Sequence, residues 1–83
     1  MAHAAHASEY REFLKRLRAG RERAGLVQTE VARRLRKPQS YVSKCESGER
    51  RVDVIELVAF AALYNLPLSF FVPASPAKQR RAR

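Results

Sequence analysis

The chain has 83 residues, of which 17 are Lys or Arg and 8 are Asp or Glu, so its formal net charge is +9 at pH 7. This length supports one domain with a modest core, which excludes most enzymes because the layered sheets that hold a cofactor and a substrate together need more chain. Hydrophobic residues make up 46% of the sequence, too many for a fully disordered basic protein. The charge favours a polyanionic partner, either nucleic acid or an anionic membrane surface.

Segments typical of membrane or secreted proteins are not expected. The apolar stretch from residue 54 to 72 is interrupted by Glu56, Asn65 and Pro67, which argues against a membrane span. The N-terminal MAHAAHA has neither a basic region nor an apolar run, so it does not resemble a secretory signal. A single Cys45 and two His provide no metal-ligand spacing, and we expect no metal, no cofactor and a location in the reducing cytoplasm.

The N-terminal third of the chain predicts a flexible tail and one helix. Residues 1–7 show no periodicity, whereas Ser8 is a suitable N-cap and Gly25 a suitable end for a helix. The residues with helical spacing between them are Tyr10, Phe13, Leu14, Leu17, Arg21 and Ala24.

Two short helices are predicted next. The segment QTEVARRL, residues 28–35, has apolar side chains on one face, and the backbone before Pro38 is disfavoured in a helix, so the second helix ends there. A third helix is expected over roughly 39–47, with Gly48 as its stop. We interpret Cys45 as a small core residue of this helix, with a redox role as the weaker alternative.

The C-terminal part predicts two more helices and a tail. Asp53 is a plausible cap for a fourth helix that ends at the Asn65 turn, and Pro67 can open a short fifth helix, LSFFV. The domain is therefore expected to span residues 8–72. Residues 73–83 carry four positive charges and no large apolar side chain, which indicates a disordered basic tail.

The stretch from residue 54 to 72 is more apolar than one core face requires, because 15 of its 19 residues are apolar. The predicted core positions are Leu57, Val58, Phe60, Ala61 and Tyr64. The others form a second apolar face, which predicts a two-fold homodimer, with a monomer bearing loose surface alanines as the alternative. The predicted dimer residues are Ile55, Ala59, Ala62, Leu63 and Leu68.

Two short helices joined by a tight break in a small basic chain have the outline of a helix-turn-helix. The segment from Gln28 to Gly48, QTEVARRLRKPQSYVSKCESG, resembles the phage-repressor and Cro type, the XRE family of bacterial regulators. With flanking helices the resemblance covers roughly residues 10–72. It implies a compact all-α, five-helix domain that usually binds operator DNA as a symmetric dimer, with the third helix in the major groove.

The resemblance also implies the residues that contact DNA. Glutamine pairs with adenine and lysine with guanine, so the third helix has suitable chemistry for reading bases. The expected base contacts are Gln39, Ser40 and Lys44, with Ser43 ranked lower. The expected phosphate contacts are Gln28, Lys37, Arg36, Arg50 and Arg51, with the hydroxyl of Tyr41 ranked lower.

Family members often pair an Arg late in the first helix with a Glu at the end of the recognition helix, which here are Arg21 and Glu46. The sequence departs from the family at Arg36, where a Gly is preferred, and at the caps Val27 and Pro38, which have no capping side chain. We therefore expect a left-handed or differently shaped turn at Arg36.

The sequence thus predicts a non-enzymatic transcription regulator that binds double-stranded DNA sequence-specifically. We expect it to repress transcription and to bind a palindromic operator as a homodimer. The resemblance places it in the cytoplasm of a bacterium or a phage-infected cell, on the nucleoid when bound. The alternative is an antitoxin or adaptor that holds a protein partner on its 54–72 surface. RNA is a weaker third choice, because a recognition helix does not fit the narrow major groove of A-form RNA.

Overall fold

A computed structural model of the chain describes residues 7–73, and every regular element within them is helical. The elements are α1 (Ala7–Arg23), α2 (Gln28–Leu35), α3 (Gln39–Ser47), α4 (Val54–Tyr64) and a 3-10 turn over Leu68–Phe70. None of these helices has the length and apolar content needed to cross a membrane. The predicted tails, 1–7 and 73–83, fall outside the described residues except for Ala7 and Pro73.

Two predicted features of the helices are wrong. Ser8 is not a cap, because α1 already includes Ala7. The fifth helix is only a 3-10 turn, closed by bonds from Phe70 N–H to Pro67 O and from Phe71 N–H to Leu68 O, each 3.0 Å long. This tighter turn places Phe71 fully in the core. The described chain therefore has four α-helices rather than five.

The ends of the helices follow local rules. Gly48 closes α3 with a φ of 88°, and Asn65 closes α4 with a φ of 56°. Asp53 caps α4 in a capping box: its carboxylate accepts from the Glu56 N–H, and the Glu56 carboxylate accepts from the Asp53 N–H. The predicted stops at Gly48 and Asn65 and the predicted cap at Asp53 are confirmed.

The core is a single cluster to which all four helices and the 3-10 turn region contribute. Its fully buried members are Leu17, Val31, Val42, Cys45, Phe60 and Phe71. The interpretation of Cys45 as a core residue is confirmed. Val58 was expected in the core but is 46% exposed, because the inward face of α4 is defined by Phe60, Ala61 and Tyr64.

The close packing of the segment after α4 against α1 depends on a glycine. Gly20 of α1 is buried, and a Cβ at this position would lie 2.9 Å from Cε1 of Phe71 and 3.3 Å from Cδ1 of Leu66. Glycine therefore allows the residues that follow α4 to pack directly on the backbone of α1.

In the turn between α2 and α3, Arg36 adopts the left-handed backbone conformation although it is not a glycine. Arg36 has a φ of 59° and a ψ of 45°, and the next N–H, of Lys37, donates to the Ala32 carbonyl at 2.9 Å. This arrangement closes α2 in the way that glycine usually does. The left-handed outcome that the sequence left open at Arg36 is therefore the one adopted.

We expect Arg36→Gly to be more stable than Arg36→Ala by about 1 kcal/mol, because both lose the same charge but only alanine keeps the left-handed strain. Urea unfolding of the two variants measures the difference. Equal stability of the two variants would show that the turn is not strained.

Candidate nucleic-acid interface

Helix α3 has a polar outer side and an apolar inner side. Val42 and Cys45 are fully buried. The four predicted base-contact residues occupy the other side of the helix, where Gln39, Ser40 and Lys44 are exposed and Ser43 is half-buried. The structure therefore brings these four side chains together on one surface.

The acidic residue of α3 is turned away from that surface. Nε of Arg21 lies 2.7 Å from Oε2 of Glu46, Nη2 of Arg21 lies 3.1 Å from Oε1, and the two side chains are only 10% and 5% exposed. Arg21 Nη1 also donates to the carbonyl of Leu26 at 2.9 Å. The hydrogen bond to Glu46 raises the pKa of Arg21 above its usual value. This bidentate pair joins the end of α1 to the end of α3.

Gln28 extends the ion pair toward the start of α3. Its Nε2 donates to Oε1 of Glu46 at 3.0 Å, and its Oε1 accepts from Nε2 of Gln39 at 3.4 Å. A side-chain amide has two N–H groups, so one remains for a phosphate. Sequence reasoning missed the contact with Glu46 because no local pattern links residues 18 positions apart.

Two predicted phosphate contacts, Lys37 and Tyr41, are neighbours in the structure. The Tyr41 ring stacks on Phe60 of α4, with centroids 6.3 Å apart, and Nζ of Lys37 lies 5.1 Å from the centroid of the Tyr41 ring. Burial is the main reason that the pKa of Tyr41 is raised to about 12. Tyr41 is therefore half-buried and links α3 to α4, with the Lys37 ammonium over its ring.

The two arginines after α3 differ. Arg50 is paired with Glu56, and the closest approach is 2.8 Å between Nη2 and Oε2. The guanidinium of Arg51 lies over the ring of Tyr10, 4.2 Å from its centroid. Arg51 and the turn residue Arg36 are both exposed and have no carboxylate partner within residues 7–73.

Sequence reasoning missed Glu56 and Tyr10 as residues near the site. The spacing from Asp53 to Glu56 is readable as a capping box, but the pairing with Arg50 depends on how the loop folds. The hydroxyl of Tyr10 accepts a hydrogen bond from the Val52 N–H at 3.0 Å, which holds the same loop against α1. No sequence signal marks this contact.

A separate apolar surface lies on α4. Ile55 is 73% exposed, and Val58, Ala59 and Ala62 are also exposed at helical spacing; we call these four residues the α4 stripe. Among the other predicted dimer residues, Leu68 is 41% exposed, whereas Leu63 is half-buried and packs against the core. The stripe is thus available on a single chain.

Comparisons with known proteins agree with this geometry. Residues 12–69 match a family described as a helix-turn-helix domain. The fold is similar to a solved XRE-family like protein from Pseudomonas syringae pv. tomato str. DC3000, with 40% identity and a TM-score of 0.75 over 82% of this chain and 83% of that chain. No curated protein matches the chain.

The chain is a helix-turn-helix DNA-binding domain. It belongs to the XRE family, whose fold is typical of regulators rather than enzymes. In this fold α2 and α3 form the helix-turn-helix, and in proteins with this motif the second helix of the pair is the one that lies in the major groove.

We expect Arg21→Ala to lower the free energy of unfolding by about 3–5 kcal/mol, because it leaves the buried Glu46 carboxylate without its partner. The control is Arg18→Ala on the same helix, where the pair with Glu22 is 66% and 58% exposed and should contribute less than about 1 kcal/mol. Urea unfolding at neutral pH measures both. Similar losses for the two variants would contradict the structural role of the buried pair.

Proposed function

We propose that the chain is a sequence-specific transcription regulator that inserts α3 into the major groove of its operator. The observation that carries this proposal is the orientation of α3: its one acidic residue, Glu46, is buried against Arg21, and its exposed side is uncharged or basic. Such a surface meets the negative potential of a DNA groove without repulsion.

Base reading is assigned to Gln39, Ser40 and Lys44, with Ser43 as a secondary contact. Gln39 can bond adenine with its amide, and Lys44 can donate to O6 and N7 of guanine. The hydrogen bond from Gln39 to Gln28 orients the Gln39 amide before DNA arrives. Pre-orientation supports the proposal because a fixed amide discriminates better between donor and acceptor edges.

Phosphate contacts are assigned to Arg51, Lys37, Arg36 and Gln28. The three cations are exposed, and Gln28 keeps one amide N–H at the N-terminus of α2, where the helix dipole also attracts anions. These contacts supply sequence-independent affinity and determine the register of α3 in the groove.

We also propose that two copies pair through the α4 stripe and Leu68, and that the dimer binds a palindromic operator in a bacterial cytoplasm. The support is the exposure of the large apolar side chains of Ile55, Val58 and Leu68, since exposed apolar patches usually mark a protein contact. Two recognition helices related by a two-fold axis require half-sites about one helical turn apart. Repression is the simplest outcome, because occupancy of the operator is sufficient to block another protein.

A second candidate is an antitoxin or adaptor, in which the α4 stripe binds a different protein. The same exposed stripe favours it. Sedimentation of the purified chain separates the two candidates, because a tight homodimer covers the stripe and a monomer leaves it free.

We expect Lys44→Ala to lose about 1–3 kcal/mol of binding on the consensus duplex selected from random DNA and to relax the base preference. Arg51→Ala should weaken binding on every sequence and reduce the salt slope by about one. Fluorescence anisotropy at several salt concentrations measures both quantities. Equal losses for the two variants on all sequences would show that Lys44 does not read bases.

We expect Ile55→Lys to raise the dissociation constant of the dimer about 100-fold or more, because each of the two subunits loses a buried apolar side chain and gains a charge. Val27→Lys is the control, since Val27 is 62% exposed but is the cap residue before α2 and not part of the stripe. Analytical ultracentrifugation measures the change. A dimer unaffected by Ile55→Lys would place the interface elsewhere.

A further inference from the structure

Arg50 makes four contacts that hold its guanidinium against the protein. Nη1 donates to Oε1 of Glu56 at 3.0 Å and to the carbonyl of Arg51 at 3.2 Å, and Nη2 lies 2.8 Å from Oε2 of Glu56. The guanidinium carbon lies 4.8 Å from the centroid of the Tyr41 ring. The side chain is 43% exposed, but a planar, bidentate arrangement of this kind restricts how the guanidinium can turn toward a ligand.

The carboxylate that holds Arg50 is itself fixed. Glu56 is the third residue of α4, where its side chain accepts from the Asp53 N–H at 3.0 Å and its N–H donates to Oδ1 of Asp53 at 2.8 Å. The hydrogen bond from Arg50, followed by that from the Asp53 backbone, lowers the pKa of Glu56 to about 2. Glu56 is therefore ionised at neutral pH and attached to the first turn of α4.

The same contacts reach the recognition helix. Tyr41 belongs to α3, stacks on Phe60 of α4 and carries Arg50 over its ring. The N–H of Arg50 also donates to the Lys44 carbonyl at 3.1 Å, in the last turn of α3. Arg50 thus contacts α3 through its backbone and its side chain while its charge is held by α4.

Arg51 is the natural comparison, because it is also an arginine and is adjacent in sequence. Its guanidinium lies over Tyr10, and no carboxylate within residues 7–73 pairs with it. A phosphate would therefore be attracted by the uncompensated charge of Arg51, whereas the charge of Arg50 is already compensated by Glu56.

We propose that Arg50 is a positioning residue and not a phosphate contact: with Glu56 it clamps Tyr41 to the first turn of α4 and determines the angle at which α3 meets DNA. This inference rests on the proposed function, since the clamp serves base recognition. Loss of the clamp reduces discrimination between operator and other DNA, whereas loss of a phosphate contact reduces the salt dependence of binding on all DNA.

The decisive variant is Glu56→Gln, because the two roles of Arg50 give different results. Glutamine keeps the capping box but lacks the charge that holds the guanidinium. The clamp predicts that the ratio of operator affinity to random-duplex affinity falls about tenfold, equivalent to the loss of one good base contact. A phosphate-binding Arg50 would instead be released, so that both affinities rise and their ratio is unchanged.

Three arginine variants complete the experiment. Arg50→Gln is expected to lower the affinity ratio with little change in the salt slope, and Arg51→Gln to reduce the slope by about 0.9 with the ratio unchanged. Arg50→Lys keeps the charge but not the bidentate geometry, so it should not restore the ratio. Circular dichroism melting selects a temperature at which every variant is folded, which separates lost positioning from lost folding.

The clamp is overturned if wild-type protein prefers its operator and the Glu56→Gln and Arg50→Gln variants keep that preference. It is also overturned if Arg50→Lys restores the ratio fully. If the wild-type protein shows no sequence preference, the proposed function is wrong and the clamp is wrong with it. This result is measured on the wild type before any variant is compared.

Discussion

The buried pair of Arg21 and Glu46 holds the recognition helix in place. Removing two charges from water is unfavourable unless further hydrogen bonds satisfy them, and here the Leu26 carbonyl and the Gln28 amide do so. Because these partners belong to α1, the following loop, α2 and α3, the pair joins three helices at one point. The exposed side of α3 is therefore not needed for the ion pair that attaches α3 to α1.

The charge distribution of the domain follows from this arrangement. Glu46 at the end of α3 and Glu56 in α4 are each engaged by an arginine, Arg21 and Arg50. The two contacts fasten α3 to different neighbours, the first to α1 and the second to α4. The exposed side of α3 itself is uncharged or basic.

Local signals made much of the fold predictable. The bounds of α2, the Gly48 stop and the Asp53 cap depend on neighbouring residues, so the sequence alone was sufficient for them. The resemblance, not periodicity, suggested that Arg21 and Glu46 lie together. The short 3-10 turn could not be foreseen, because no local signal in the sequence shows that Phe71, the residue after it, is buried in the core.

The site was less predictable than the fold. The exposure of Gln39 and Lys44 follows from helical periodicity, but the partners of Gln28 and Arg50 do not. Both are long polar side chains near the protein surface. From their position in the sequence, either residue could contact DNA or another part of the protein. Only the folded loop after α3 brings Arg50 to Glu56, since their pairing depends on the path of the backbone through residues 48–53.

The most direct measurement is a crystal structure of the chain bound to its selected duplex. We expect α3 in the major groove, with Gln39, Ser40 and Lys44 within about 3.2 Å of base edges and with Arg21 still paired with Glu46. A complex in which α3 lies outside the groove and none of these three side chains reaches a base would contradict this expectation.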